Sequence, residues 1–186
     1  TDNNDDTLAF RVALASLPVA GKGRLKVPCG TYYLTDQSST SALSFDRAIV
    51  LSGITRDCTI LRFPDGDTSS SMLGLAVSGS PDVSGSVVEN LTLDGNGDNW
   101  GLNAACVSSG NPWICCSGSG AGTCNTKTHT GIYRGTVGTA DDITIHDSKF
   151  INFFNSTITG SGTAPIIFDR KWHNVQIQGN EFLNGR

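Results

Sequence analysis

Charge is scarce in this chain. Only 16% of its 186 residues are Asp, Glu, Lys or Arg, and the formal net charge is −4. Without a basic excess there is no electrostatic footprint for nucleic acid. Long apolar runs are absent as well; none approaches the ~18–20 residues of a membrane span. Proline numbers only 6, and the 22 glycines follow no Gly-X-Y period. Those two absences exclude collagen and argue against a disordered chain. After the first twenty residues no second strong helical pattern occurs, which disfavours an alternating βαβ fold. No leader is visible at Thr1, which fits a mature secreted form or a piece of something longer.

What is present begins with six cysteines: Cys29, Cys58, Cys106, Cys115, Cys116 and Cys124. An even count without any Cys-x-x-Cys pair favours disulfides in an oxidising, extracellular compartment over a zinc site. Adjacent Cys115 and Cys116 do not bridge each other without a strained ring. The length suffices for one domain spanning 1–186 with a sizeable core.

One helix is legible. Asp5 and Asp6 offer capping oxygens, Phe10, Ala13, Leu14 and Leu17 form an apolar stripe, and Pro18 ends the segment. Short β patterns follow at 27–34, 48–53, 58–63, 86–93, 142–145, 165–168 and 174–177, most with Gly, Asn or Asp just after. Two stretches repeat each other. "DITIHDSKFIN" from Asp142 and "NVQIQGNEFLN" from Asn174 align at an offset of 32 residues, and "NLTLDGN" at Asn90 opens in the same way. Ile143 and Ile145 match Val175 and Ile177; Phe150-Ile151-Asn152 match Phe182-Leu183-Asn184. Alternation turns two apolar side chains inward per strand, a polar bend follows, then another inward aromatic. Such a unit buries its apolar face only by stacking on the next, so the pattern predicts an all-β solenoid of roughly five to seven coils. A β-sandwich is the alternative that short alternating strands also fit. Asn152 and Asn184 either stack as a side-chain ladder or serve as plain turn formers. The amphipathic helix is a natural cap over the first coil. The other end needs a cover from outside the sequence: a further chain, a removed domain or an oligomer contact.

These residues resemble a known family. "DDTLAFRVAL" followed by "GKGRLKVPCGTYYLT" is similar to the N-terminal segment of the pectate-lyase-like right-handed parallel β-helix superfamily, and the later rungs resemble its ordinary coils. The resemblance covers most of the chain outside about 97–140, a Cys-rich loop insertion. It implies a right-handed parallel β-helix with an N-terminal capping α-helix, or the N-terminal part of a longer one. Cys29 is expected to meet Cys58 on a neighbouring coil, with the remaining four cysteines tying the loop within itself. The resemblance also implies a secreted protein acting on a polysaccharide. It does not select one activity, since the superfamily holds lyases, epimerases, hydrolases and non-enzymatic members. The Asn-Thr-Asp and Gly-His-Gly of polygalacturonase-like hydrolases, the Tyr-Gly-x-Asp-Pro-His of mannuronan epimerases and the Trp-x-Asp-His of classical pectate lyases are all missing.

Chemistry must therefore be sought locally. In "KTHTGIYR", Lys127 and His129 can supply a base, while Tyr133 and Arg134 can hold a substrate carboxylate. In "DRKWH", Asp169, Arg170, Lys171 and His173 place a base beside cations, as proton abstraction next to a uronate carboxylate requires, and Trp172 offers a stacking face. Trp100 and Trp113 either stack on sugars or anchor the loop. Asp94 and Asp98 in "LDGNGD", and the pair Asp141-Asp142, offer oxygens to a Ca²⁺ or act as hydrolytic carboxylates; the plainer reading is a Gly-Asn turn, and no cofactor is required. Asn90 and Asn155 open glycosylation sequons. The expectation is a lyase or epimerase on an acidic, uronate-containing glycan. The alternatives are a glycoside hydrolase on the same scaffold or a non-catalytic carbohydrate-binding module.

Overall fold

The computed structural model describes residues 4–19, 22–35, 41–65, 71–77, 81–96, 130–135, 138–153, 165–168 and 172–183. Among the described residues one helix, α1 (Thr7–Ser16), is followed by fourteen short strands. These are β1 (Gly23–Val27), β2 (Gly30–Tyr33), β3 (Ser41–Phe45), β4 (Ile49–Gly53), β5 (Thr59–Arg62), β6 (Ser71–Leu75) and β7 (Val87–Glu89). After them come β8 (Thr92–Asp94), β9 (Thr130–Arg134), β10 (Thr144–His146), β11 (Lys149–Ile151), β12 (Ile166–Phe168), β13 (Gln176–Gln178) and β14 (Glu181–Leu183).

The strands form three sheets. The first runs β1-β4-β7-β10-β13, the second β14-β11-β8-β5-β2 and the third β12-β9-β6-β3. Every ladder is parallel, which removes the antiparallel sandwich. Each coil visits the third, first and second sheet in turn, so the chain winds as a parallel β-helix. The repeat read from the sequence is the spatial register: Ile145 pairs with Ile177 and Phe150 with Phe182, both at an offset of 32 residues.

Alternation delivers the core as three columns. In the first sheet Leu25, Leu51, Val88, Ile145 and Ile177 lie in line. In the second the column is Tyr32, Leu61, Leu93, Phe150 and Phe182. In the third it is Leu43, Leu73, Ile132 and Ile166. The middle members, Leu51, Leu61, Leu73, Leu93, Ile132 and Ile145, are completely buried. Each full side-chain burial contributes roughly 1.5–3 kcal/mol, so these columns dominate the stability of the stack.

Corners are made by residues that accept left-handed backbone. Asn90, Asp147 and Gly179 turn the chain from the first sheet to the second, with φ of 57°, 49° and 65°. Gly85, Asp142 and Asn174 do the same on entry to the first sheet. A short polar side chain stabilises that conformation through local hydrogen bonds, which is why Asn and Asp punctuate the repeat. In coil two the corner lies against Gly53. A Cβ there would meet the Asn90 carbonyl at 2.1 Å, so the close approach of coils requires glycine.

The helix caps the stack as expected. Phe10 and Leu14 are buried, and Phe10 meets Tyr32 edge-on at 5.4 Å. Arg11 donates to the Ala42 carbonyl of β3, the edge strand of the third sheet. The capping oxygens behave differently from the expectation. Asp5 Oδ1 accepts from Thr7 N at 2.9 Å, but the Asp6 side chain turns away and accepts from Tyr33 N at 2.9 Å. It ties the helix to β2 instead of closing the helix end.

Cys29 and Cys58 are joined, linking the coil-one and coil-two entries to the second sheet. The other four cysteines, and with them the loop pairing, lie outside the described residues, as does most of 97–140. Strands β3, β6 and β9 lie outside the β patterns read from the sequence, β1 meets one of them only at Val27, and the 86–93 segment is two strands bent at Asn90.

Candidate functional site

Two coils meet at the corner between the third and first sheets. In the upper coil β12 leads through Trp172, His173 and Asn174 into β13; in the coil below, Asp141 and Asp142 precede β10. The 32-residue offset sets His173 over Asp141 and Asn174 over Asp142. The Asp141 carboxylate accepts from His173 backbone N–H at 3.2 Å, and its Oδ1 lies 3.3 Å from His173 Nδ1. Asn174 Nδ2 donates to Asp142 Oδ1 at 2.6 Å, fixing the same corner one residue on. A carboxylate oxygen only accepts, so Nδ1 is the donor in this contact, and the ring is mostly exposed. This is the arrangement of a general base oriented by an acid. Trp172 precedes it, half exposed, its ring tilted against Phe168 with centroids 6.0 Å apart. An indole supported on one side and open on the other suits stacking on an apolar sugar face. The site therefore joins His173 and Trp172, both expected, with Asp141, considered in the sequence only as a cation or hydrolytic carboxylate.

Tyr133 and Arg134 lie on β9, paired with Ile167 and Phe168. Arg134 occupies the row Phe45, Leu75, Arg134, Phe168, where its neighbours are apolar, and it is buried. Its guanidinium donates to the Gly135 and Gly138 carbonyls. Instead of presenting a clamp to a substrate carboxylate, it holds the bend that leads to Asp141.

Asp94 is also buried, at the end of β8. Its carboxylate accepts from Asn96 N at 2.8 Å and Asn152 Nδ2 at 2.9 Å, and faces Arg62 Nη1 at 3.4 Å. Asn96 extends the chain of contacts: it accepts from Arg62 at 2.6 Å and donates to the Phe63 carbonyl and Asp65. Asn152 thus joins a polar network with Asp94, Asn96 and Asp65; the expected stacking of Asn152 on Asn184 lies outside the described residues. A guanidinium and two amides already fill this donor set, which does not fit a divalent cation. Among the described residues no group of three or more His, Cys, Asp or Glu side chains is placed to hold a metal. Asp98, Trp100, Trp113, Lys127, His129, Asp169, Arg170 and Lys171 lie outside the described residues.

Two charged clusters escaped the sequence. On the outer face of the first sheet Arg24 Nη1 lies 2.6 Å from Glu89 Oε1, His146 Nε2 lies 2.9 Å from Glu89 Oε2, and His146 Nδ1 lies 2.8 Å from Asp147 Oδ2. Burial would push the Glu89 carboxyl up. Hydrogen bonds from Arg24 and Ser52, with the charges of Arg24 and His146, outweigh it and hold that carboxyl below its ordinary range. On the second sheet Lys149 Nζ contacts Asp57 at 2.7 Å and Glu181 at 3.6 Å. The hydrogen bond to Asp57 raises the lysine and lowers the acid. These partners are far apart in the chain and meet only through the register. Polar residues recurring in phase on successive strands were the available signal.

No family model matches the chain, and no curated protein matches its sequence. Among solved structures it is similar to the A-module of the mannuronan C-5 epimerase AlgE6 from Azotobacter vinelandii. The TM-score is 0.55 at 19% identity, covering 82% of this chain and 34% of that one. The AlgE4 A-module from the same organism superposes over 98% of this chain and 46% of that one, at 16% identity and a TM-score of 0.49, too low to add weight. The chain thus spans about a third of the length of the first neighbour. Three parallel sheets, a helix over the first coil and this likeness give one conclusion: the chain has a right-handed parallel β-helix fold.

Proposed function

We propose that this protein acts on a polysaccharide containing uronate residues, by removing the proton on the carbon beside the carboxylate. The observation that carries the reading is the His173–Asp141 pair, built by coil register next to the exposed face of Trp172. In this scheme Trp172 stacks on a sugar ring and Asp141 holds the tautomer that leaves Nε2 basic. His173 takes the proton as the C–H bond breaks and the electron pair moves into the carboxylate. Arg170 and Lys171, neighbours of Trp172 in sequence, supply the positive charge that this intermediate needs. Expulsion of the adjacent glycosidic oxygen then completes a β-elimination, and return of a proton to the opposite face completes an epimerisation. The likeness to a mannuronan C-5 epimerase A-module supports the substrate class. The Cys29–Cys58 bridge fits a secreted protein.

A panel of uronate polymers in D₂O tests this directly. Elimination raises ultraviolet absorbance from unsaturated ends, and epimerisation incorporates deuterium beside the carboxylate. His173→Ala is expected to lower either rate by roughly 10²–10⁴-fold, with Asp141→Asn lowering kcat and Trp172→Ala raising KM. Binding of the polymers with neither signal would establish the non-catalytic module instead.

A further inference from the structure

The acid beneath His173 is itself seated on the coil below it. Counting back three residues along the β7–β10–β13 register puts Ser84, Asp141 and His173 in one row. In that row each backbone N–H falls on the side-chain oxygen one coil down: His173 N on Asp141 Oδ1 at 3.2 Å, and Asp141 N on Ser84 Oγ at 3.1 Å. The second contact replaces a ladder bond. Residues 81–85 and 139–141 run as a short parallel ladder, in which Thr139 N donates to the Pro81 carbonyl, Val83 N to the Thr139 carbonyl and Gly85 N to the Asp141 carbonyl. Evenly spaced parallel pairing would send Asp141 N to the Val83 carbonyl. The chain turns at the left-handed Gly85, and that carbonyl accepts instead from Ser86 N at 3.1 Å and Ser86 Oγ at 2.7 Å.

The Ser84 hydroxyl stands in for the missing acceptor, and among the described residues the Asp141 N–H has no other. The direction of that hydroxyl is set from its other side. Hydrogen bonds from the Ser84 hydroxyl and from Ser84 N, the latter at 3.0 Å, hold the Asp82 carboxyl below its ordinary range. The hydroxyl thus donates to Asp82 and accepts from Asp141, which fixes its rotor. We propose that Ser84 is a positioning residue: through the Asp141 backbone it holds the carboxylate where His173 Nδ1 meets it. This role rests on His173 acting as the base, and it assigns to the coil below the control of that base's tautomer. Alanine at this position leaves the Asp141 N–H without a partner, so the carboxylate shifts and the ring is released to carry its proton on Nε2.

Heteronuclear NMR of the His173 ring nitrogens tests the idea on the full chain without any substrate. At about pH 8.5, where an ordinary imidazole is neutral, the wild type is expected to show mostly the Nδ1–H tautomer. Ser84→Ala is expected to shift the ring toward Nε2–H, and Ser84→Thr, which keeps the hydroxyl, to preserve the wild-type pattern. Ser84→Val, the shape of threonine without its hydroxyl, replaces Ser84→Ala should the latter lose its far-ultraviolet β signal. On a uronate polymer Ser84→Ala is expected to lower kcat roughly tenfold at unchanged KM, because Trp172 is untouched. A serine with only a structural part lowers Tm and leaves the tautomer in place. A Ser84→Ala ring that keeps the wild-type tautomer therefore overturns the proposal, whatever its Tm, and so does a wild-type ring in the Nε2–H form. A tautomer that responds to Ser84→Ala in a protein that turns over no uronate polymer supports the role of Ser84 and overturns the catalytic reading of the site.

Discussion

Removing the Cys29–Cys58 bridge in a double Ala variant isolates the tie between the first two coils. The cysteines are 29 residues apart. Closing a loop of that size removes about 12 cal/mol/K from the unfolded chain, or about 3.6 kcal/mol at 25 °C. The bridge joins segments that already pair, since Gly30 N donates to the Cys58 carbonyl at 2.7 Å, so its loss leaves the folded contacts in place. Unfolding entropy of roughly 2.1 cal/mol/K per residue puts the melting slope near 0.39 kcal/mol/K for this chain, and the expected fall in Tm is about 9 °C. Thermal melts followed by circular dichroism measure it, with hydrogen exchange to localise the loss. In a solenoid the weakening stays near its source, so α1, β1, β2 and β5 exchange faster while β10 and β11 do not. A Tm shift under about 2 °C, or faster exchange spread evenly over all coils, refutes the reasoning.

Asp94→Ala leaves Arg62 facing a cavity and strips the Asn96 and Asn152 amides of their acceptor. Breaking such a pair costs about 3 kcal/mol, readable as a lower urea midpoint, and added Ca²⁺ is expected to shift neither the wild type nor the variant. Glu89 gives a pH test. Its folded carboxyl lies below its ordinary value of 4.5, so its contribution is complete above that pH. The contribution is lost as pH falls through the folded value, because the unfolded chain takes the proton first. Tm measured from about pH 6 down to pH 3 is expected to fall less steeply for Glu89→Gln than for the wild type.

The parts of the fold that repeat were legible in the sequence, because stacking demands that the same pattern recur. The match of Ile145 to Ile177 and Phe150 to Phe182 was visible in the letters and became a ladder register. Strands β3 and β6 were invisible because "SALSF" and "SMLGL" mix small and apolar residues without alternation. They are buried nearly throughout. The candidate site divided along the same line. Trp172 and His173 stood out by residue type, whereas Asp141 gained meaning only from the coil offset. Arg134 read as a surface cation because a single sequence does not reveal which row of a sheet faces inward. The outer Arg24–Glu89–His146 cluster draws on β1, β7 and β10, across four coils, and has no local signature.

The corners differ in what they tolerate. Between the first and second sheets only Asn90-Leu91, Asp147-Ser148 and Gly179-Asn180 intervene from β7 onward, and a single inserted residue there shifts the side chains of the following strand to the wrong face. From the second sheet to the third, the connection runs from Phe63 to Ser70 in one coil and from Gly95 to His129 in the next, with both flanking strands still in register. Length is fixed along one seam and free along the other. New recognition elements can therefore be spliced into the permissive seam, coil by coil, without disturbing the columns beneath.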